Sequence, residues 1–254
     1  MTYNTMGVAM RRVLPLLAAA LACLLTTTVL AGQAAGATGS STGYRTIPGS
    51  GGTPLKAFVV TPNSPGKHPL LVMPSSWSMS DIEYLAQAWK LAEQSNYEVV
   101  SFTSRGFADS GGTIDIAGPK TVDDVSKVID WALANTPADP DEIGVAGISY
   151  GAGLGLLSAA NDPRIKAVAA MSGWSDLAAS LYPGKTVSSQ TVTALLALGN
   201  LTGRPGPKMR KLQQEYFSGD VKDAISDALK LAPARSAATK LDAINAHHPA
   251  VLMA

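Results

Sequence analysis

Apolar residues along this chain fall in short runs closed by turn residues, and these runs alternate with stretches of helical period. Residues 55–61 and 69–73 form the first two runs, joined through Pro62, Pro65 and Gly66. Runs of this length between turn signals predict buried strands. From about 81 to 94 the spacing changes: Ile82, Leu85, Trp89 and Ala92 recur at helical intervals, which predicts a helix. A strand at 97–102 and a glycine-rich loop at 104–118 come next. In the helix expected over 121–135, Val125, Val128, Ile129 and Leu133 form the inward stripe. Asp123, Asp124 and Lys127 fall on its wet face, the acidic pair reading as a solvated helix start. Residues 142–146 predict a strand, 152–160 a helix and 165–170 a further strand. Strands alternating with helices imply right-handed crossovers, and hence a mostly parallel sheet with helices on both faces.

Beyond Trp174 the strand signal stops. Three helical pieces follow at 191–198, 207–217 and 221–231, joined through Tyr182-Pro183-Gly184 and residues 203–206. They predict a helical lid inserted over the sheet. The expected organisation is a core at 53–173, a lid at 174–245, and at 246–254 the start of a further core strand, with the C-terminal part of the fold expected after Ala254. Residues 38–52, rich in Gly, Ser and Thr, read as a flexible lead-in.

The first 37 residues follow different rules. Arg11 and Arg12 precede an apolar run to Leu30, and small residues suited to signal-peptidase cleavage come after it. This predicts a signal peptide over 1–37, a secreted product and no stable membrane anchor. Its removal would take the single cysteine, Cys23, so neither disulfides nor thiol chemistry is expected in the mature chain. It would also take two positive charges and no negative ones, turning the formal charge of +1 into −1. A balanced charge with no basic run argues against nucleic acid as a partner. With 46% hydrophobic residues in 254, there is ample apolar surface for an α/β core.

Candidate chemistry centres on Gly147-Ile148-Ser149-Tyr150-Gly151, between a predicted strand and a predicted helix. A G-x-S-x-G pattern in that setting is a nucleophile elbow. The turn holds Ser149 in a strained backbone conformation, and side chains at 147 and 151 would collide with the neighbouring strand and helix. The Tyr150 N–H lies beside the hydroxyl as an oxyanion donor. A second donor is expected from the loop after the 69–73 strand, from Ser75 or Ser76, with Trp77 walling the acyl pocket.

With these motifs on the page, the chain from about residue 55 resembles the α/β-hydrolase superfamily, and within it the cocaine-esterase and X-prolyl dipeptidyl-peptidase-like branch. The loop 104–112 fits that branch's R-G-x-x-x-S-x-G motif. Asp124 with Ile129-Asp130-Trp131-Ala132 fits its helix before the elbow, and Ser149-Tyr150 its elbow centre. The resemblance implies a Ser–His–Asp hydrolase working through an acyl-enzyme, on a small-molecule ester or on a peptide; the residues themselves show no metal-cluster or cofactor motif, so neither is expected. In that superfamily the acid and then the histidine follow the serine in the chain, and both are expected after Ala254. The chain alone is accordingly expected to be inactive.

Other residues fit those roles poorly. His68 reads as a surface turn residue. His247 and His248 precede the last predicted strand, away from the carboxyl ends of the strands where catalysis sits. Asp176 stands where some hydrolases place the acid, although a helix cap is its plainer role. Arg105 and Asp109 read as an ion pair within their loop. Two other functions compete with catalysis. One is a degenerate, non-catalytic binding fold. The other is a nucleotide-binding module using Gly184-Lys185-Thr186, which end a relaxed phosphate-loop pattern; no buried strand leads directly into that pattern.

Overall fold

The computed structural model describes residues 39–254; the predicted signal peptide lies outside the described residues. Seven strands form one sheet: β1 (Ser40–Pro48), β2 (Pro54–Pro62), β3 (His68–Pro74), β4 (Glu98–Phe102), β5 (Ala138–Ile148), β6 (Ile165–Met171) and β7 (Ala250–Met253). Their spatial order is β1-β2-β4-β3-β5-β6-β7. Every neighbouring pair from β4 to β7 runs parallel, while β1 and β2 add antiparallel pairings at one side. The mostly parallel sheet with flanking helices is the expected α/β-hydrolase architecture.

The period-two pattern of the strands divides the core into two layers. Leu70, Val72, Val100, Phe102, Val145, Val168 and Ala170 point to one face. There they meet α2 (Pro119–Asn135) and α3 (Tyr150–Ala159) through Val125, Val128, Ile129, Ala152 and Leu156. Met73, Val99 and Ala146 point to the opposite face, against Ala88 and Ala92 of α1 (Leu85–Ser95), which Asn96 ends in the left-handed conformation. The same alternation that predicts strands therefore assigns each residue its layer.

The stretch read as a flexible lead-in is largely a strand. β1 pairs with β2 from Ser40↔Pro62 to Pro48↔Pro54, with Ile47 fully buried and the Tyr44 ring edge-on to Phe58 at 5.3 Å. Small residues hide its alternation, and its register comes from a tight turn in which Gly51 and Gly52 take positive φ. Only the cross-strand partner reveals this strand.

Two charged residues also differ from expectation. Asp124 is fully buried, not on the wet face, and it binds Arg105 through both carboxylate oxygens: Nε to Oδ2 at 2.6 Å and an Nη to Oδ1 at 2.5 Å. It also accepts the Ser50 N–H at 2.8 Å, and Arg105 donates to the Ser50 carbonyl. Burial pushes the Asp124 carboxyl up from its ordinary value, and Arg105 pulls it back. The partner expected for Arg105, Asp109, is instead exposed. The ion pair thus ties together the β1–β2 turn, the loop after β4 and α2, three segments far apart in sequence.

Four lid helices, α4 (Leu177–Leu181), α5 (Ser189–Thr202), α6 (Pro207–Ser218) and α7 (Val221–Leu231), precede α8 (Leu241–His247). The Arg204 guanidinium clamps the lid by donating to the carbonyls of Ala108, Ser110 and Gly112. Single bridges Phe107↔Gly203 and Ile114↔Pro205 flank it.

Glu98, at the start of β4, is fully buried. One carboxylate oxygen accepts from Thr61 Oγ1 at 3.0 Å and the other has no partner. Burial raises its pKa from 4.5 to about 7, opposed by the Thr61 hydrogen bond. The folded state therefore holds a proton that the unfolded chain releases near 4.5. Stability is highest below that pH and falls as pH rises toward 7, by on the order of 3 kcal/mol in full. Glu98→Gln keeps the shape without the charge. Urea denaturation should show it more stable than wild type at pH 8 and similar at pH 4; an unchanged difference across that range would rule out the ionisation as cause.

Candidate active site

The elbow forms because two backbones touch where β5 turns into α3. A Cβ on Gly147 would lie 2.5 Å from the Gly151 carbonyl carbon, and one on Gly151 would lie 2.2 Å from the Pro74 carbonyl oxygen at the end of β3. Gly147 thus meets the start of the helix, and Gly151 the neighbouring strand. Between them Ser149 takes φ 53°, ψ −111°, a conformation that a non-glycine residue holds only under packing constraint. Its N–H donates to the Met171 carbonyl at 2.9 Å and its carbonyl accepts from Gly153. The side chain is left exposed just ahead of the first turn of α3. The unpaired N–H groups and the positive end of that helix favour negative charge at this point. A hydroxyl so placed can attack a carbonyl carbon while the Tyr150 N–H meets the developing oxyanion.

Tyr150 itself is buried and accepts the Ala117 N–H at its phenolic oxygen, 2.7 Å away. Burial pushes the phenol well above its ordinary pKa, with the Ala117 bond opposing. Its ring packs against Trp77, Phe107 and Trp174, with centroids 5.1 to 6.1 Å apart. A second tyrosine braces the strand side: Tyr84 Oη accepts the Ile148 N–H at 3.0 Å. Sequence reasoning treats Tyr84 as one more helical residue. Its phenol, in the single turn Asp81–Tyr84 ahead of α1, is the only signal, and that signal names no partner.

The structure separates the other expected residues. The Ser75 N–H donates to the Phe102 carbonyl at 3.0 Å, and its Oγ accepts from the Ser104 N–H. The Ser76 N–H is held by Glu83 at 2.7 Å, while its hydroxyl donates to the Ile148 carbonyl. Both N–H groups are thus committed to holding the loop rather than open to an oxyanion. Trp77 does wall the cavity beside Ser149, fixed by its indole N–H on the Leu195 carbonyl at 2.9 Å. Asp176 caps α4, accepting the Ala179 N–H at 3.0 Å.

None of the three histidines is at this end of the sheet. His68 opens β3 and is fully buried, not a surface residue; it lies between the Ser64 carbonyl and the Asn96 amide. His247 Nδ1 is 2.8 Å from the Ala159 carbonyl, at the far end of the ten-residue helix that Ser149 precedes, about 15 Å along its axis. His248 follows it, exposed. Gly184-Lys185 lies in an exposed single-turn segment (Pro183–Lys185) with helix α4, not a strand, before it, so the phosphate-loop geometry is absent there. Among the described residues, no three His, Cys, Asp or Glu side chains cluster to hold a metal.

A cavity of about 390 Å³ opens over Ser149 between the sheet and the lid. Leu177, Leu195, Met209 and Ile225 are typical of its wall, and Arg235 is its single charged residue. Elbow, sheet and lid together define an α/β-hydrolase fold. Solved structures share it at low identity, which shows the fold alone. A hypothetical protein of Pseudomonas aeruginosa, PA2218, gives a TM-score of 0.57 at 16% identity, over 90% of this chain and 83% of that one. The Pyrobaculum calidifontis esterase gives 0.53 at 17%, over 84% and 75%. EstE1, a thermophilic carboxylesterase cloned from a metagenomic library, gives 0.52 at 15%, over 100% and 88%. The family model for X-Pro dipeptidyl-peptidase (S15 family) matches residues 51–249, and the chain belongs to that family. It is also similar to an uncharacterised 31.7 kDa Escherichia coli protein from the traX-finO intergenic region, 26% identical over 162 residues. That match takes in 63% of this chain and 54% of the relative, so the chain spans about half the length of this curated relative.

Because the Cβ at Gly151 would meet backbone rather than a movable side chain, Gly151→Ala should destabilise the fold by about 3 kcal/mol or more. Thermal denaturation should show a drop of roughly 6–12 °C. A melting temperature within a degree of wild type would mean that β3 and α3 are not in contact here.

Proposed function

We propose that the protein is a serine hydrolase that cleaves an ester or amide bond through an acyl-enzyme on Ser149. The observation that carries this reading is the strained backbone of Ser149 at the mouth of the cavity, with the start of α3 behind it. Ser149 Oγ attacks the carbonyl carbon as its proton passes to a base. The oxyanion rests on the Tyr150 N–H, the leaving group departs, and water then releases the acid. The family assignment supports hydrolysis, and the X-Pro dipeptide bond is one candidate substrate within it. The base is none of the three histidines where the fold holds them, so in this reading it comes from outside these 254 residues. Export through the signal peptide at 1–37 belongs to the same proposal.

The placement of the histidines also favours a second reading, a non-catalytic binding protein on a hydrolase fold. Adding the missing base discriminates between them. The chain should hydrolyse p-nitrophenyl acetate slowly, and added imidazole should raise the Ser149-dependent part of the rate by roughly tenfold or more. Ser149→Ala should remove that part and abolish fluorophosphonate labelling. Rates equal in wild type and Ser149→Ala, with and without imidazole, would leave the binding protein standing. For export, N-terminal sequencing of material outside the cytoplasm should begin near Gly32 or Thr38; Met1 retained in a membrane fraction would show an anchor instead.

A further inference from the structure

The aromatic side chains around Ser149 have their polar ends turned into the protein. The Trp77 indole N–H donates to the Leu195 carbonyl at 2.9 Å, and that of Trp174 to the Arg235 carbonyl at 2.7 Å. The Tyr150 phenolic oxygen accepts the Ala117 N–H at 2.7 Å, and the Tyr216 hydroxyl donates to the Ser189 carbonyl at 3.4 Å. All four side chains line the cavity over Ser149, so what they offer it is ring carbon. Leu177, Leu195, Leu212 and Ile225 continue the same wall. Arg235, the single charged residue of the lining among the described residues, is closed off in the same way. It is 1% exposed, donates to the Leu231 and Asp115 carbonyls at 3.1 Å, and is paired with the Asp115 carboxylate at 3.6 Å. Its charge is met inside the protein and is not presented to the cavity. The other polar side chains on the wall are uncharged hydroxyls.

We infer that the cavity receives an uncharged apolar group, an alkyl chain or an aromatic ring, and that the substrate is a neutral lipophilic ester. The inference rests on the reading that Ser149 attacks an ester or amide carbonyl, and it narrows that reading. A volume of about 390 Å³ lies in the range of small-molecule sites, which are mostly apolar. Against such a wall, binding strengthens with every methylene removed from water. A charged group of either sign fares worse, because it gives up its hydration and finds no counter-ion in exchange. A dipeptide with a free N-terminus, seated by its acyl side, would bring its ammonium under the lid. The wall therefore favours an alkyl or aryl ester over an X-Pro dipeptide.

Equilibrium binding of unreactive probes tests this without turnover, so its failure is separate from failure of the serine mechanism. Trp77 and Trp174 line the cavity and report occupancy by their fluorescence. Methyl alkyl ketones, from propyl to hexyl, supply a neutral series. Each added methylene should tighten binding roughly fourfold. Octamethylenediamine and suberate match the longest ketone in length and carry a charge at each end. One end can stay at the mouth in water, but the other must enter with the chain. Both should bind roughly tenfold or more weaker than methyl hexyl ketone. Ile225 is half-buried on α7, and Ile225→Asp puts a carboxylate on the wall. In that variant the diamine should gain affinity and the ketones lose it. The wild-type ranking decides the matter even if the variant does not fold. Affinity that does not rise along the ketone series, a diamine or suberate that binds as tightly as methyl hexyl ketone, no binding by any probe, or an unchanged ranking in a folded Ile225→Asp would overturn the inference.

Discussion

The contact between the first turn of α3 and the end of β3 is what the rest of the site depends on. A carbonyl of β3 and the backbone of Gly151 approach to a distance that admits no side chain, and Gly147 is pressed against the same turn from below. Strand and helix can meet this closely only if the residue between them leaves the ordinary backbone regions, and Ser149 does so. The positive φ is therefore a consequence of packing between rigid elements, which keeps the hydroxyl outward without help from the lid. The adjoining supports act on the same joint. Tyr84 holds the Ile148 N–H, Ser76 holds the Ile148 carbonyl, and Met171 holds the Ser149 N–H. Gly153 leaves room for Trp174, whose ring would otherwise be 2.3 Å from a Cβ.

A second joint fixes the loop that carries the lid. The Arg105–Asp124 pair is buried, bidentate and further bonded to Ser50, so its charges are compensated as completely as a fold allows. A pair of this kind adds little net stability, and breaking it by removing one partner costs far more than it contributes. What it supplies is a definite path for the backbone from residue 104 to 112. Along that path Gly106 takes φ 83° where a Cβ would lie 2.2 Å from the Ile114 nitrogen. The Ser110 hydroxyl donates to the Thr103 carbonyl and accepts the Lys56 N–H. The carbonyls so positioned are the ones Arg204 grasps from the lid. The arginine, glycine and serine of the R-G-x-x-x-S-x-G motif are therefore spent on the shape of a loop, one step removed from any substrate.

The lid in turn decides the polarity of the cavity. It brings Leu, Val, Ile and Met over Ser149, and at its end it delivers one buried arginine. Apolar walls strengthen whatever electrostatic contact remains inside them.

Much of this was legible in the chain. The alternation of strands and helices, the elbow with its two obligatory glycines and the helical lid all follow from local pattern, because each depends on residues near in sequence. Four features were not. β1 carries too few apolar residues to announce itself and exists through pairing with β2. Asp124 has the spacing of a surface residue and is buried because Arg105 arrives from another segment. His68 looks like a turn residue and lies beneath Asn96. Arg235 is one charge among many in a helical region until the fold closes around it. In the elbow the decisive constraint is the size of a single side chain, which the sequence states outright. In these four it is the identity of a distant partner, and that is settled only when the chain has folded.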